Sequence, residues 1–589
     1  MIPSRLFEFL EYQINNAPLS KAMSTKYLGK WNSISSKFFF NEVQKACSSL
    51  IEMGVKKGDK IALISTNNRT EWCIMDLAIL QIGAITVPIY PTITAKDYEY
   101  ILNHSESILC FISDKIIFDK ISSIKSKTKK LKEIYSFDKI NGCKSWKLLL
   151  KGDSISEKDI IENLKKNVTP NDVATIIYTS GTTGIPKGVV LTHNNIVSNV
   201  LSASKRLPLN IGNSKALSFL PVCHIFERVI LYVYYFNSIE IHFAESIETI
   251  GENLNEVKPH FMTAVPRLLE KLYDKIYSKG ETLSGIKKNL FYWAVNLGLN
   301  FKPYGKNGFI YELKLRIARK LIFSKWKKAL GGNLDVICSG SAALQPRLAR
   351  IFTAAGVTIA EGYGLTETSP VITVSDFRNK MLKIGCVGKP IDGVTVKIAE
   401  DGEILCKGPN VMKCYYKDPK LTNEVIKNGF FHTGDIGIVD SEGFLKITDR
   451  KKQLFKTSGG KYISPQLIEN KMKQSLFIEQ IVVVGEGKKM PAALIQPSFE
   501  FIKNWAKEND FDIGSKNNEI CQNFKLRKYI EKDIDLLNKD FSQWEKIKKF
   551  ELTPDVWNIE DGHLTPTMKV KRKVIIKKYN SLIDKIYSN

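Results

Sequence analysis

The sequence predicts an α/β protein. A large N-terminal domain of α/β subdomains carries a small antiparallel β-barrel, and a smaller α+β domain follows. Three observations predict this. Through the first 170 residues, and again after the glycine-rich stretch at 178–193, short apolar runs alternate with helix-spaced patterns, as parallel βαβ units require. From about 385 to 448 the pattern becomes short β runs with glycine turns ("VTVKIAEDGEILCKG", "GIVDSEGFLKI"), which suits an antiparallel sheet or small barrel. The 589 residues also exceed the size at which one core keeps growing, so at least two domains are expected.

Taken in order, "KIALIST" reads as a strand, and the next segment spaces Cys73, Leu77, Leu80 and Ala84 as the buried face of a helix. "AITVPIY" and "SILCFISD" are further strands. Beyond the glycine-rich stretch, "KALSFLP", "SIEIHFA", "HFMTAVP", "LDVICSG" and "VTIAEGYG" read as strand ends feeding loops. Residues 277–330 are basic and helical in pattern, either a solvated amphipathic helix pair or a membrane-facing surface. After "TDRKKQLF" a new unit begins, and the domain boundary belongs there.

Composition narrows the function classes. Hydrophobic residues at 43% against 25% charged argue for a folded enzyme and against disorder. The net charge of +25 would suit a nucleic-acid or anionic surface, but lysine is spread along the chain and builds no basic, aromatic-studded stripe, so no nucleic-acid partner is expected. "MIPSRLFEFLEYQINNAP" has no apolar signal-peptide core. The longest apolar stretch, "IMDLAILQIGAITVPIY", contains Asp76 and Gln81 and reads as a buried helix then a strand, not a membrane span. Ten scattered cysteines without a C-x-x-C pair point to reduced thiols in a cytoplasmic protein, with no disulfide frame and no zinc site.

The stretch "YTSGTTGIPKGVVLTH" has the makings of a phosphate cradle, though not the P-loop pattern, since Gly188 follows Lys187. Glycines such as Gly181 and Gly184 let ligand atoms approach the backbone, and successive amides form a concave nest for anions. Thr179, Ser180, Thr182 and Thr183 add hydroxyls, and Lys187 adds a mobile point charge. "ATIIY" before it reads as a strand. "NNIVSNVLSA" after it reads as a helix entered past Thr192 and Asn194, both able to cap. Taken alone, the same run also describes an ordinary surface turn.

Four more segments follow it in order: "EGYGLTETSP" (361–370), "HTGDIG" (432–437), "TDRKKQLFKTSGGKYISP" (448–465) and "LTPTMKVKR" (564–572). Together the five resemble the adenylate-forming superfamily of acyl-CoA synthetases, luciferases and peptide-synthetase adenylation domains, over nearly the whole chain. "NGFFHTGDIGIVDSEGFLKITDRKKQLFKTSGGKYISP" is similar to the fatty-acyl-CoA synthetase signature. "LPVCHIFERV", "VPRLLEKLYDKI" and "LIFSKWKKALGG" resemble the long-chain branch.

The resemblance implies a two-step reaction using ATP, Mg²⁺ and coenzyme A. A fatty carboxylate attacks the α-phosphate of ATP to give acyl-AMP and pyrophosphate, and the CoA thiol then displaces AMP. It implies roles for particular residues. Glu367 holds Mg²⁺ with Thr179 as a second contact, and the 179–184 loop with Lys187 grips the departing phosphates. Tyr363 lies against adenine, Gly340 of "CSGSAAL" and Gly362 let backbone approach the nucleotide, and Gly364 and Thr366 belong to the same nucleotide-binding set. Asp435 accepts from the ribose hydroxyls with help from Arg450. Lys569 is the catalytic lysine that bridges carboxylate and α-phosphate, with Lys571, Arg572 and Lys573 as its rivals in register.

The same resemblance divides the chain into an N-terminal adenylation domain (1–448), a hinge (449–454) pivoting on Lys452, and a mobile C-terminal domain (455–589). In it, Gly459, Gly460 and Lys461 turn in to line the CoA channel, and Lys452 and Lys456 contact nucleotide phosphate in one of the two settings. His224 stands either beside the acyl site or as a hydrogen-bonded structural histidine, with Glu227 and Arg228 as a supporting ion pair. Adenylation of another carboxylic acid (medium-chain or aromatic), or acyl transfer to a carrier protein, is the nearest rival activity. A dead acyl-binding scaffold is opposed by the intact Lys187, Glu367, Asp435 and Lys569. Peripheral membrane contact suits a substrate that partitions into lipid. Oligomeric state is left open.

Overall fold

The computed structural model describes residues 2–150, 158–179, 185–246, 248–565 and 568–588. Two large mixed sheets build the N-terminal part. The first runs, edge to edge, through Cys414–Tyr415, Lys187–Thr192, Val173–Thr179, Ile85–Ile89, Lys60–Ile64, Ser107–Ile112, Glu133–Ser136 and Lys144–Ser145. It is parallel from Val173–Thr179 onward and antiparallel at the other edge. The second runs through Lys389–Pro390, Val371–Val374, Thr358–Gly364, Val336–Ser339, Phe261–Ala264, Lys215–Ser218, Glu240–Phe243, Met23–Tyr27 and Lys30–Ile34. Its interior pairs are parallel too. The strands read from the sequence fall in these two sheets, because Ile- and Val-rich runs covered on both faces have no polar alternation to obscure them.

Between the sheets lie the helices Thr70–Gln81 and Ile225–Phe236, buried on every side. Cys73, Leu77 and Leu80 are buried as their spacing predicts, while Ala84 lies past the helix end. A helix enclosed by two sheets is apolar all round, so its periodicity is weak. Outer helices bring Tyr98, Ile101 and Ile117 against the first sheet, and Leu269, Phe323 and Trp326 against the second. The result is a five-layered stack.

One buried cation ties the two enclosed helices to the first sheet. Arg228, on the helix Ile225–Phe236, reaches Asp76 at 2.5 Å, Thr86 Oγ1 at 2.7 Å and Thr175 Oγ1 at 2.8 Å. Removing Asp76 alone would strand a buried charge, a loss of about 3–5 kcal/mol. The expected Glu227–Arg228 pair is corrected here, since adjacent helical residues point about 100° apart. Glu227 instead accepts from Ser218 Oγ (2.5 Å) and Thr263 Oγ1 (2.6 Å), and burial pushes its carboxyl up to about 7.

The antiparallel unit comprises Thr395–Ile398, Glu403–Lys407, Phe430–Val439 and Ile426–Lys427, with Leu445–Arg450 alongside Phe430–Val439. The second sheet's antiparallel edge curls as a half-barrel. Residues beyond Arg450 build cores of their own around the strands Ile478–Val484, Ala492–Pro497 and Phe550–Leu552. Alternation splits that sheet cleanly: Ile481, Val483, Ala493 and Ile495 enter one core, and Val482, Val484, Ala492 and Leu494 the other. Among the described residues no helix is long and apolar enough to cross a membrane. All ten cysteines stand outside any disulfide.

Candidate active site

The glycine-rich stretch 178–193 stands between a strand and a helix as expected, but its second half is itself a strand. Val173–Thr179 and Lys187–Thr192 pair antiparallel, with Thr179 directly opposite Lys187. The helix His193–Ser204 begins only after the second strand. Its cap is Thr192, whose hydroxyl accepts from the Asn195 N–H while Asn195 returns the bond (a capping box); Asn194 takes no part. Ser180, Gly181, Thr182, Thr183 and Gly184 lie outside the described residues.

The strand Cys414–Tyr415 joins the same sheet edge, with Tyr415 opposite Val189. That register brings Tyr415 between two of the predicted residues. Its hydroxyl donates to Glu367 Oε1 at 2.8 Å, and Lys187 Nζ stands 5.4 Å from its ring centroid, a cation–π distance. Burial, then the neighbouring Glu367 charge, raises the Tyr415 pKa far above the ordinary phenol range, so it stays a donor. Tyr415 has no local motif, and sequence reasoning missed it. Glu367 sits in the short 3₁₀ turn Thr366–Thr368. Asn199 and Asn410 side chains hold that turn by donating to the Val371 and Thr368 carbonyls at 2.8 Å and 3.1 Å.

The donors fit Mg²⁺. Glu367 and the Thr179 hydroxyl offer hard oxygen, and among the described residues no cluster of three His, Cys, Asp or Glu could cage a metal. Mg²⁺ is commonly held by one or two carboxylates together with substrate phosphates, which is what such a sparse set requires.

A second group gathers at Asp435, buried on the strand Phe430–Val439. Tyr363 donates its hydroxyl to Asp435 Oδ2 at 2.8 Å, and Arg450 Nε approaches Oδ1 at 3.0 Å from the adjacent strand, where the two residues are in register. Gly340, Gly362 and Gly364 can be told apart by what a Cβ would meet. At Gly364 it would strike the Pro370 carbonyl oxygen at 1.6 Å, so the fold itself requires glycine there. At Gly340 and Gly362 the nearest atoms are 3.4 Å and 3.5 Å away, ordinary contact, so chain packing does not explain those two glycines. Thr366, at the start of the Glu367 turn, is buried.

Lys569 reaches this group from the C-terminal part. Next to it Met568 has φ +61°, the Thr565 N–H donates to the Lys569 carbonyl at 2.8 Å, and the Lys569 N–H donates to Thr565 Oγ1 at 3.1 Å. Burial, then repulsion from Arg450, pulls the Lys569 ammonium down to about 8 against the opposing attraction of Asp435. His224 joins them. Its Nδ1 accepts from the Phe226 N–H at 3.1 Å and caps the helix Ile225–Phe236. Burial, then the nearby Lys569 charge, holds the imidazole at about 4, so it is neutral at pH 7 with its proton on Nε2. The structural and site-facing readings of His224 therefore coexist. Of the rivals of Lys569, Arg572 is engaged with Glu469 and the Val483 carbonyl.

The remaining predicted residues stand apart from this group. Gly459, Gly460 and Lys461 form the exposed turn of the hairpin Phe455–Lys456/Tyr462–Ile463, with Gly460 at φ +74°. Lys456 Nζ lies 4.7 Å from the Tyr462 ring centroid and Lys461 Nζ 5.1 Å from that of Trp544. Lys452 is exposed in the turn after Arg450. Arg267 pairs with Glu479, which holds the C-terminal part against the helix Pro266–Glu281.

Asp435 with Arg450, Lys187 beside Tyr415, and Lys569 from the residues beyond Arg450 are charges of the kind an AMP-binding enzyme would use. The chain belongs to that family: the AMP-binding enzyme family matches residues 10–416, and the AMP-binding enzyme C-terminal domain matches 452–589. A long-chain-fatty-acid–CoA ligase of Mycobacterium bovis is 34% identical over 564 residues, covering 95% of this chain and 93% of that protein. Long-chain-fatty-acid–CoA ligase 5 of Rattus norvegicus is 33% identical over 596 residues, covering 95% and 84%. Among solved structures, the adenylation domain of a carboxylate reductase from Mycobacterium chelonae shares the fold at a TM-score of 0.76 and 18% identity, covering 99% of this chain and 91% of that one.

Proposed function

We propose that this enzyme activates long-chain fatty acids to acyl-CoA through an acyl-AMP intermediate, releasing pyrophosphate and AMP. Lys569 carries the reading. A lysine from the C-terminal part is seated beside Asp435, Arg450 and His224, the setting needed for adenylation. The two relatives, each about a third identical over almost the whole chain, supply the substrate class and coenzyme A.

The chemistry explains the lysines. A carboxylate approaching triphosphate at ~4 Å and an effective dielectric of ~20 meets roughly 4 kcal/mol of repulsion per unit charge pair. Lys187 and Lys569 bring positive charge to the two sides of the reacting centre. Glu367 and the Thr179 hydroxyl would hold Mg²⁺, which when bound would supply Lewis-acid neutralisation of phosphate oxygens. Tyr363 and Arg450 already fill part of Asp435's acceptor capacity and orient it for the ribose hydroxyls. His224 offers a neutral Nε2–H donor.

For the second half, residues 455–589 turn about 449–454 on Lys452. That turn takes Lys569 out and brings Gly459–Lys461 to the CoA path, with Lys452 and Lys456 near phosphate in one of the settings. Peripheral contact with a membrane belongs to the same reading, since the acids themselves partition into lipid.

The test is exchange of labelled pyrophosphate into ATP, dependent on a long-chain acid and independent of CoA. Absence of exchange with every acid would overturn the proposal. Three further outcomes follow from particular residues. Tyr415→Phe keeps the ring under Lys187 but removes the donor to Glu367. One net hydrogen bond of about 1 kcal/mol should raise the Mg²⁺ concentration for half-maximal exchange roughly fivefold. An unchanged Mg²⁺ dependence would remove Tyr415 from the site.

The Lys569 ammonium is charged below its pKa and neutral above it. With that pKa at about 8, kcat/KM for adenylation should fall as pH rises through about 8. Lys569→Arg keeps its charge throughout, so its residual rate should lack that falling limb. A limb persisting in the arginine variant would assign it to another group. Lys452→Pro fixes φ at the pivot. It should slow thioester formation from supplied acyl-AMP more than adenylation, and equal slowing would count against the hinge.

A further inference from the structure

The last part of the basic segment noted in the sequence folds as one helical rod: Phe309–Ala318, a π turn over Arg319–Phe323, then Ser324–Ala329. Its inner face is ordinary, with Leu315, Ala318, Ile322, Phe323 and Trp326 in the core behind the second sheet. Its outer face should be polar. Instead Phe309 (80% exposed), Leu313 (49%), Ile317 (47%) and Leu321 (45%) recur every fourth position along it, with Ile310 beside them at 71%. Residues four apart drift by about 40° around an α-helix. The wide π turn offsets that drift, keeping Leu321 on the outer stripe while Ile322 and Phe323 stay buried.

Charge flanks the stripe with one sign. Residues 301–330 contain nine lysines and arginines and a single carboxylate, Glu312. Glu312 faces away, its Oε1 buried and its charge felt by Tyr311 and Arg319 on the inner side. Lys314, Arg316, Lys320 and Lys325 are exposed, and none has a carboxylate in ion-pair range among the described residues.

We propose that this outer face is a docking surface for an anionic lipid bilayer. Phe309, Leu313, Ile317 and Leu321 enter the headgroup–acyl boundary, and the flanking lysines and Arg316 meet lipid phosphates. A second copy of the same face is disfavoured, because an isologous contact would set like charges against each other. A nucleic acid is disfavoured by the apolar stripe at the centre. The purpose of such docking, collecting substrate from lipid, rests on the fatty-acid reading; the geometry does not.

The test is flotation of the full chain with phosphatidylcholine vesicles, with and without 30% phosphatidylglycerol, in the absence of ATP and fatty acid. The anionic vesicles should bind the protein at least about tenfold more tightly than the neutral ones, and 0.5 M salt should release it. The combined Leu313→Gln, Ile317→Gln and Leu321→Gln variant, and separately Lys314→Glu, Arg316→Glu and Lys320→Glu, should each weaken binding about tenfold or more. Their circular dichroism and their rate with a dissolved, monomeric acid should stay those of the native chain. Native protein that ignores anionic vesicles, or variants that bind them as tightly as the native chain, would overturn the proposal. So would self-association abolished by the glutamine variant without vesicle binding, which would make the face a contact between copies. Since binding is read without substrate, failure of the fatty-acid reading would appear only in the rate assay.

Discussion

Lys569→Ala should lower acyl-adenylate formation by roughly two to three decades, the loss expected for a donor that acts on developing charge in a water-poor site. Thioesterification of supplied acyl-AMP should be nearly unchanged. The asymmetry follows from where the residue sits. Its ammonium is already desolvated and pressed by Arg450, with Asp435 as the only opposing charge among the strongest influences. A bound polyanion would restore full protonation, so the structure holds a cation in reserve for an anionic ligand. Equal loss in the two half-reactions, or a loss under fivefold in adenylation, would place the catalytic lysine elsewhere.

Glu367→Gln should lower adenylation by about two decades at ordinary Mg²⁺, with partial recovery at high Mg²⁺, because a lost metal ligand removes several kcal/mol of charge stabilisation. The substitution is nearly isosteric, and the turn carrying it is fixed by Asn199 and Asn410, so backbone displacement is not the cause of any loss. The measurement is pyrophosphate exchange against Mg²⁺ concentration, with thermal unfolding as the control for folding. A variant as active as the native enzyme across the whole Mg²⁺ range would contradict the metal role.

What was legible in the sequence follows from how each feature is encoded. Strands such as Lys60–Ile64 and Ile85–Ile89 are continuous apolar runs and were readable directly. The strand Lys187–Thr192 was not, since it starts at Lys187-Gly188 within a stretch whose glycines and Pro186 speak for a loop. Motif order brought Glu367, Asp435 and Lys569 to notice. That Tyr363 and Arg450 both serve Asp435 is a matter of strand register and sheet-edge proximity. Tyr415 lies outside the five motifs, and only the antiparallel edge of the first sheet delivers it to Glu367. Glu227 and Arg228 misled because adjacency in sequence is not adjacency on a helix. Their true partners are 4 to 152 positions away.

The glycines give the same lesson in reverse. Gly340, Gly362 and Gly364 looked equivalent as nucleotide-facing glycines. Only Gly364 is forced by the chain's own backbone, which leaves the other two for a ligand to explain.

The most direct test of the account is ATP- and CoA-dependent thioester formation across straight-chain acids from two to twenty carbons, following pyrophosphate and AMP together. Burial contributes about 0.8 kcal/mol per methylene, so a pocket built for long chains should raise kcat/KM steeply with length. The account predicts equimolar pyrophosphate, AMP and acyl-CoA, with the long acids preferred. Preference for acids of two to six carbons, or release of ADP and phosphate in place of AMP and pyrophosphate, would contradict it.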